Sequence, residues 1–144
     1  MGRRGLLDDI DLRLIELLKQ NSRESYTKLA RELGVSESTV RSRLRRLCRI
    51  GVIKKFTLEY EIEGEVEAFV LVKTSPQSRV PEVSEKLLGI KGVYKVCEVT
   101  GENDILVMLR APSIDSINEC IDRIRGTSGV AETNTMIVLR SWVR

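Results

Sequence analysis

The chain has 144 residues, enough for one domain or two small ones, and its 42% apolar and 31% charged content is that of a folded protein rather than a disordered one. It contains no histidine and three widely spaced cysteines, which removes His-based acid–base chemistry, His-ligated metal or haem, and a framework of paired disulfides. The net charge of +3 hides an asymmetry: 14 basic and 7 acidic residues run up to Lys55, against 10 basic and 14 acidic beyond it, so the two parts suit different partners and the first suits a polyanion.

No apolar run approaches the ~18 residues a membrane span needs, and the start M-G-R-R-G-L-L-D-D has no signal-peptide core. A soluble, cytoplasmic protein is expected. Cys48, Cys97 and Cys120 are each expected to fill core as small hydrophobes. No Ser, Cys or carboxylate cluster offers a nucleophile beside a base. The chain therefore reads as a non-enzyme that needs no cofactor or metal.

In chain order, Asp8 or Asp9 can cap a helix to about Gln20, with Ile10, Leu14, Leu17 and Leu18 as its apolar stripe. A shorter helix, Tyr26 to Leu33, follows Ser25 as cap, buries Leu29, Ala30 and Leu33, and ends at Gly34. A basic stretch from Ser36 to Gly51 then places Val40, Leu44 and Leu47 on one helical face. Ser36 is its cap, Val35 and Val40 a hydrophobic staple, and Gly51 its stop. Its outer face collects Ser38, Ser42, Arg45, Arg46 and Arg49, with Thr39 and Arg43 on the flank and Glu37 as its one acid. Short hydroxyl side chains let a helix N-terminus approach base edges, and arginines reach phosphates or guanine. The alternative is a basic surface that serves solubility alone. Two helices joined by a short turn containing Gly make a helix-turn-helix, whose second member enters the major groove. The candidate DNA contacts are Ser36, Ser38, Thr39, Arg41, Ser42, Arg43, Arg45, Arg46 and Arg49.

Beyond Gly51, Phe56, Leu58, Tyr60 and Ile62 alternate with Thr57, Glu59, Glu61 and Glu63. This predicts a half-buried strand whose acidic row faces solvent and guards the edge. Strands are then expected at Val66 to Thr74, Val93 to Thr100, Asp104 to Ala111 and Val130 to Val143. Helices are expected at Pro81 to Leu88, with Val83, Leu87 and Leu88 inward, and at Ser113 to Arg125, with Ile114, Ile117, Ile121 and Ile124 inward. The order β-α-β-β-α-β is that of a ferredoxin-like sandwich, with two helices on one sheet face and the other face bare. The fold class is α+β: a winged-helix-like helix-turn-helix domain (1–55), a linker strand (56–65) and a ferredoxin-like domain (66–144). The apolar residues of the bare face predict self-association, at least to a homodimer.

The chain resembles the Lrp/AsnC, or feast/famine, family of prokaryotic transcriptional regulators. The motifs are L-D-D-I-D-L-R-L-I-E-L-L (Leu7 to Leu18), K-L-A-R-E-L-G-V-S-E-S-T-V-R-S-R-L (Lys28 to Leu44), G-V-I (Gly51 to Ile53), Gly92-Val93, and T-G-E-N-D (Thr100 to Asp104). Cys48 departs from the pattern, because the family commonly has Glu there. By composition Gly101-Glu102-Asn103-Asp104 is simply a turn. The resemblance implies that it is an effector loop, completed by Thr133 and Thr135, which are two apart on one strand. It further implies a sensing domain for a small effector, an amino acid, with Asp104 meeting the amino group. Dimers are expected to build to tetramers or octamers. The reading is a sequence-specific, effector-modulated regulator of double-stranded DNA. The alternative is a chromatin-like architectural protein that coats DNA with low specificity.

Overall fold

In the computed structural model, which describes residues 7–60 and 62–142, the first helix starts where two acids interlock. Asp8 is the N-cap of α1 (Asp9–Gln20). Its Oδ1 accepts from the Asp11 N–H at 2.9 Å, while Asp11 Oδ2 accepts from the Asp8 N–H at 3.2 Å. This reciprocal box satisfies donors that a helix start otherwise leaves open. Ser25 caps α2 (Tyr26–Leu33), which ends at Gly34 in the left-handed region, φ 65°, where a side chain would be strained.

Ser36 caps α3 (Glu37–Arg49) by accepting from the Thr39 N–H. The helix closes with Val52 N–H donating to Leu47 O and Gly51 N–H to Cys48 O, both at 3.0 Å. That bond pair is the Schellman arrangement. Helices of 8 and 13 residues are marginal alone, so packing holds them. Leu14, Leu29, Val40, Leu44 and Leu47 form the buried seam with Ala30, and each fully buried leucine contributes about 1.5–3 kcal/mol. Leu33 is only half-buried.

The chain divides into two compact units between Tyr60 and Glu61. The strand expected over 56–65 does not form among the described residues, and Glu61 of its acidic row lies outside them. Phe56, Leu58, Tyr60 and Ile62 are 47% to 70% exposed. The alternation is real, but a strand needs a neighbour for its backbone N–H and C=O groups. This segment pairs with none of the four strands that form the chain's sheet.

The second unit runs β1 (Val66–Thr74), α4 (Val80–Leu88), β2 (Val93–Glu98), β3 (Ile105–Ala111), α5 (Ile114–Arg125) and β4 (Val130–Ile137). Its sheet has the order β2-β3-β1-β4, with every neighbouring pair antiparallel. This is the ferredoxin-like arrangement. Ala68, Val70 and Val72 of β1 and Ile105, Val107 and Leu109 of β3 point to one face, where Val83, Leu87, Ile117, Ile121 and Ile124 cover them. The alternate residues Phe69, Leu71, Leu106 and Met108 are half-buried and Met136 is exposed, so the second face is open within this unit.

Further expectations are corrected. Leu88 and Ile114 are about half exposed, at 54% and 49%: Leu88 falls 140° round the helix from Val83 at 100° per residue, and Ile114 sits in the first turn of α5. The last strand stops at Ile137, and its expected end at Val143 lies outside the described residues. Only Cys120 is buried, its thiol donating to Lys91 O at 3.1 Å; Cys97 is half-buried and Cys48 exposed. Cys48 falls about 80° from Val40, off the buried seam. No helix of the described residues is long and apolar enough to cross a membrane.

Candidate nucleic-acid interface and effector loop

The first turn of α3 is organised by hydroxyls. Ser36 Oγ accepts the Thr39 N–H and lies 2.8 Å from both Ser38 Oγ and Thr39 Oγ1. Ser36 is thus the cap, with its hydroxyl engaged inside the turn. Thr27 donates to Glu37 Oε1 at 2.6 Å, fastening the start of α3 to α2. Ser38 and Ser42 are exposed and Thr39 half-buried.

The arginines separate into two sets. Arg41, Arg45 and Arg49 are exposed, and the Arg41 guanidinium lies 4.8 Å from the Tyr26 ring centroid, a cation–π contact that limits where it points. Arg43 and Arg46 turn to α1. Arg43 Nη1 donates to both oxygens of Asp8 at 2.7 Å and to Asp11 Oδ1 at 2.8 Å, and Arg46 Nη2 pairs with Asp11 Oδ2. Arg46, expected to point outward, is therefore held on the flank of α3. The cause is Asp11: it is completely buried, and a buried charge must be paired. The Arg43 guanidinium, followed by the Asp11 N–H, holds the Asp8 carboxyl below the ordinary carboxylate value; Asp8 and then Asp11 raise Arg43 in return.

Sequence reasoning gave the two acids no part at this face. The available signal was an acid at both the cap and the third helical position, which places two carboxylates on one side of a helix start. Asp8, Ser38, Thr39, Ser42, Arg43 and Arg46 line one open groove.

In the second unit, Val99 N–H donates to Asp104 O at 2.9 Å across the β2–β3 turn. Gly101 has φ 119° and no atom within 4 Å of where a Cβ would stand, so its backbone is open to approach. Glu102 is exposed and Asn103 half-buried. Asp104 differs from the expectation of a carboxylate held ready for a ligand. Its Oδ2 accepts from Thr74 N–H at 2.8 Å and from Thr74 Oγ1 at 2.9 Å, tying the loop to the end of β1. Those two bonds, backbone first, hold the Asp104 carboxyl below its ordinary value, with Lys73 adding to them.

Thr133 and Thr135 stand opposite Val72 and Val70 and share the helix-covered face. Thr133 Oγ1 accepts from Arg125 Nε at 3.2 Å, and the buried Thr135 Oγ1 has no hydrogen-bond partner among the described residues. Because Val72 pairs with Ile105 on one side and Thr133 on the other, the loop and Thr133 lie at one end of the sheet, two strand spacings or about 10 Å apart.

Comparisons with known proteins agree with both units. Residues 7–47 match the AsnC-type helix-turn-helix domain and residues 67–144 the Lrp/AsnC ligand binding domain. The HTH-type transcriptional regulator LysM of Sulfurisphaera tokodaii is 49% identical over 136 residues, 94% of this chain and 97% of that protein. Among solved structures, the leucine response regulatory protein LrpA of Mycobacterium tuberculosis matches 96% of each chain at 30% identity, TM-score 0.84. A feast or famine regulatory protein of M. tuberculosis in complex with L-methionine matches 96% of this chain and 95% of its own at 29% identity, TM-score 0.85. A capped helix-turn-helix followed by a βαββαβ unit, matched by both family domains and by relatives over nearly its whole length, makes this chain a member of the Lrp/AsnC family of transcriptional regulators, DNA-binding proteins that carry a ligand-binding domain.

Proposed function

We propose that the chain is a sequence-specific regulator of double-stranded DNA whose assembly, and through it DNA occupancy, responds to an amino acid. The observation that carries this reading is the outer face of α3, with Ser38 and Ser42 exposed early and Arg45 and Arg49 exposed late. An N-terminal turn of short hydroxyls can enter the major groove close to base edges, while arginines further along reach the phosphates that fix register.

A helix-turn-helix of this size is a small footprint alone, so the reading includes a homodimer with two α3 helices about one DNA turn (~34 Å) or a multiple apart. Support for self-association comes from the open sheet face and from exposed Met136, Ile137, Leu139 and Trp142, four apolar side chains grouped at the end of the chain, since contiguous exposed apolar surface marks association sites. Further growth to tetramers or octamers is part of the same proposal.

We assign the effector to Gly101, Glu102, Asn103 and Asp104, with Thr133 at the same end of the sheet and Thr135 two residues further in on the same face. A solved relative bound to L-methionine supports the amino-acid class. Exposed backbone at Gly101 suits an α-carboxylate, and the second Asp104 oxygen suits an α-amino group.

Competition gel shifts test the DNA part. A selected site preferred over mixed-sequence competitor by ~10³ or more supports a regulator, whereas a ratio near one supports an architectural coat instead. Thermal shifts against the twenty amino acids test the effector, since a ligand of the folded state raises the midpoint. No shift in melting or assembly at millimolar concentration would remove that part.

A further inference from the structure

We propose that Asp8 withholds Arg43 from the DNA backbone, so that an acid on the first helix sets how much of the recognition helix's charge is offered to any sequence. The inference rests on the reading of α3 as the DNA-contacting helix and assigns a regulating partner to one of its residues.

Of the five arginines on α3, Arg43 and Arg46 meet acids of α1. The two acids are not equivalent. Asp11 has no exposed surface, so its charge depends on the two guanidinium groups beside it. Losing them would leave a bare carboxylate in the core. Asp8 is different: its side chain is 53% exposed, and it stands on the lip of the groove with Ser38, Thr39 and Ser42. It places a full negative charge where a DNA phosphate would arrive.

Both Asp8 oxygens lie 2.7 Å from Arg43 Nη1, so a phosphate drawing on Arg43 must compete with Asp8 and is also repelled by it. Base edges that present hydrogen-bond donors suffer no such repulsion. Asp8 thus weakens sequence-independent binding more than binding that reads bases.

Asn at position 8 isolates the effect, because Asn caps a helix about as well as Asp and keeps an oxygen for the Asp11 N–H. The test is a salt titration of binding to a mixed-sequence duplex. Asp8→Asn is expected to tighten binding roughly 5- to 10-fold near 0.1 M salt and to steepen the salt dependence by about one unit. Asp9→Asn, exposed one residue further on, makes the same change in net charge and should give less than a twofold gain. Adding Arg43→Ala to Asp8→Asn should abolish the gain. A merely structural role for Asp8 predicts the opposite sign, weaker binding as the helix frays. Equal gains from Asp8→Asn and Asp9→Asn would reduce the effect to net charge and overturn the proposal, as would a gain that survives Arg43→Ala. If the parent protein bound no duplex at all, the DNA reading itself would fall.

Discussion

Replacing Asp11 by alanine tests the contact that joins the first and third helices. Asp11 is completely buried and accepts from the Asp8 N–H, Arg43 and Arg46. Breaking a buried ion pair from one side costs roughly 3–5 kcal/mol, because the remaining charge is stranded. Here the arginine side chains are 22% and 35% exposed, so both can rehydrate in part and the upper end does not apply. The lost half of the capping box adds a fraction of about 1 kcal/mol. The expected destabilisation of the first unit is about 2–3 kcal/mol, which corresponds to amide exchange about 30- to 160-fold faster at its most protected positions. Hydrogen exchange of the full-length protein reads this at the Leu44 and Leu47 amides, with Val107 and Leu109 of β3 as internal reference. The variant should accelerate the first pair and leave the second within a factor of two or so. Acceleration below about threefold at Leu44 and Leu47 would show that Asp11 does not hold the helices together, and the partition of the arginines would lose its basis.

At the loop, Asp104→Ala should accelerate exchange of the Thr74 amide about 5- to 10-fold, the worth of one hydrogen bond to a charged acceptor in a wet setting. Asp104→Asn keeps an oxygen for Thr74 but removes the charge, so it should retain most of that protection while losing the response of DNA binding to an amino acid. A normal response in the Asn variant would refute the role given to the carboxylate. Acid sensitivity has a definite sign: Asp8 and Asp104 both lie below the ordinary value of 3.8. Their contribution to stability is therefore present above that pH and lost as pH falls through the folded values. Denaturation followed below about pH 4 should show a shallower acid limb in Asp104→Asn than in the parent. Native alkylation should modify exposed Cys48 first and spare Cys120, whose thiol burial pushes up and keeps protonated. Equal labelling of the two would contradict their placement.

Much of the architecture was readable locally. Ser25, Ser36 and Ser113 cap helices because short hydroxyls precede apolar periodicity, and Gly34 ends α2 where a left-handed residue is needed. The alternating order of strands and helices carried the ferredoxin-like topology, and the shared face of Thr133 and Thr135 followed from their spacing of two. What could not be read was any partner supplied by a distant element. Arg46 falls near the outer edge of α3 on a helical wheel, yet Asp11, 35 residues earlier, draws it to the flank. Asp104 looked like an open carboxylate until Thr74, 30 residues earlier, occupied one oxygen. The alternation from Phe56 to Ile62 described a side-chain pattern, not a neighbouring strand, and within this chain no such neighbour exists among the described residues.

The claim that α3 reads DNA sequence through its exposed early face is tested most directly by selection from a random duplex pool, run in parallel with the parent and with Ser42→Ala. Ser42 is exposed on the groove and lies one turn beyond the capping hydroxyls, so its loss should leave the fold intact. The account predicts that the parent enriches a site with two related halves about one helical turn or a multiple apart, and that the variant relaxes one position in each half. Enrichment of the identical site by both proteins, or of no site by the parent, would contradict it.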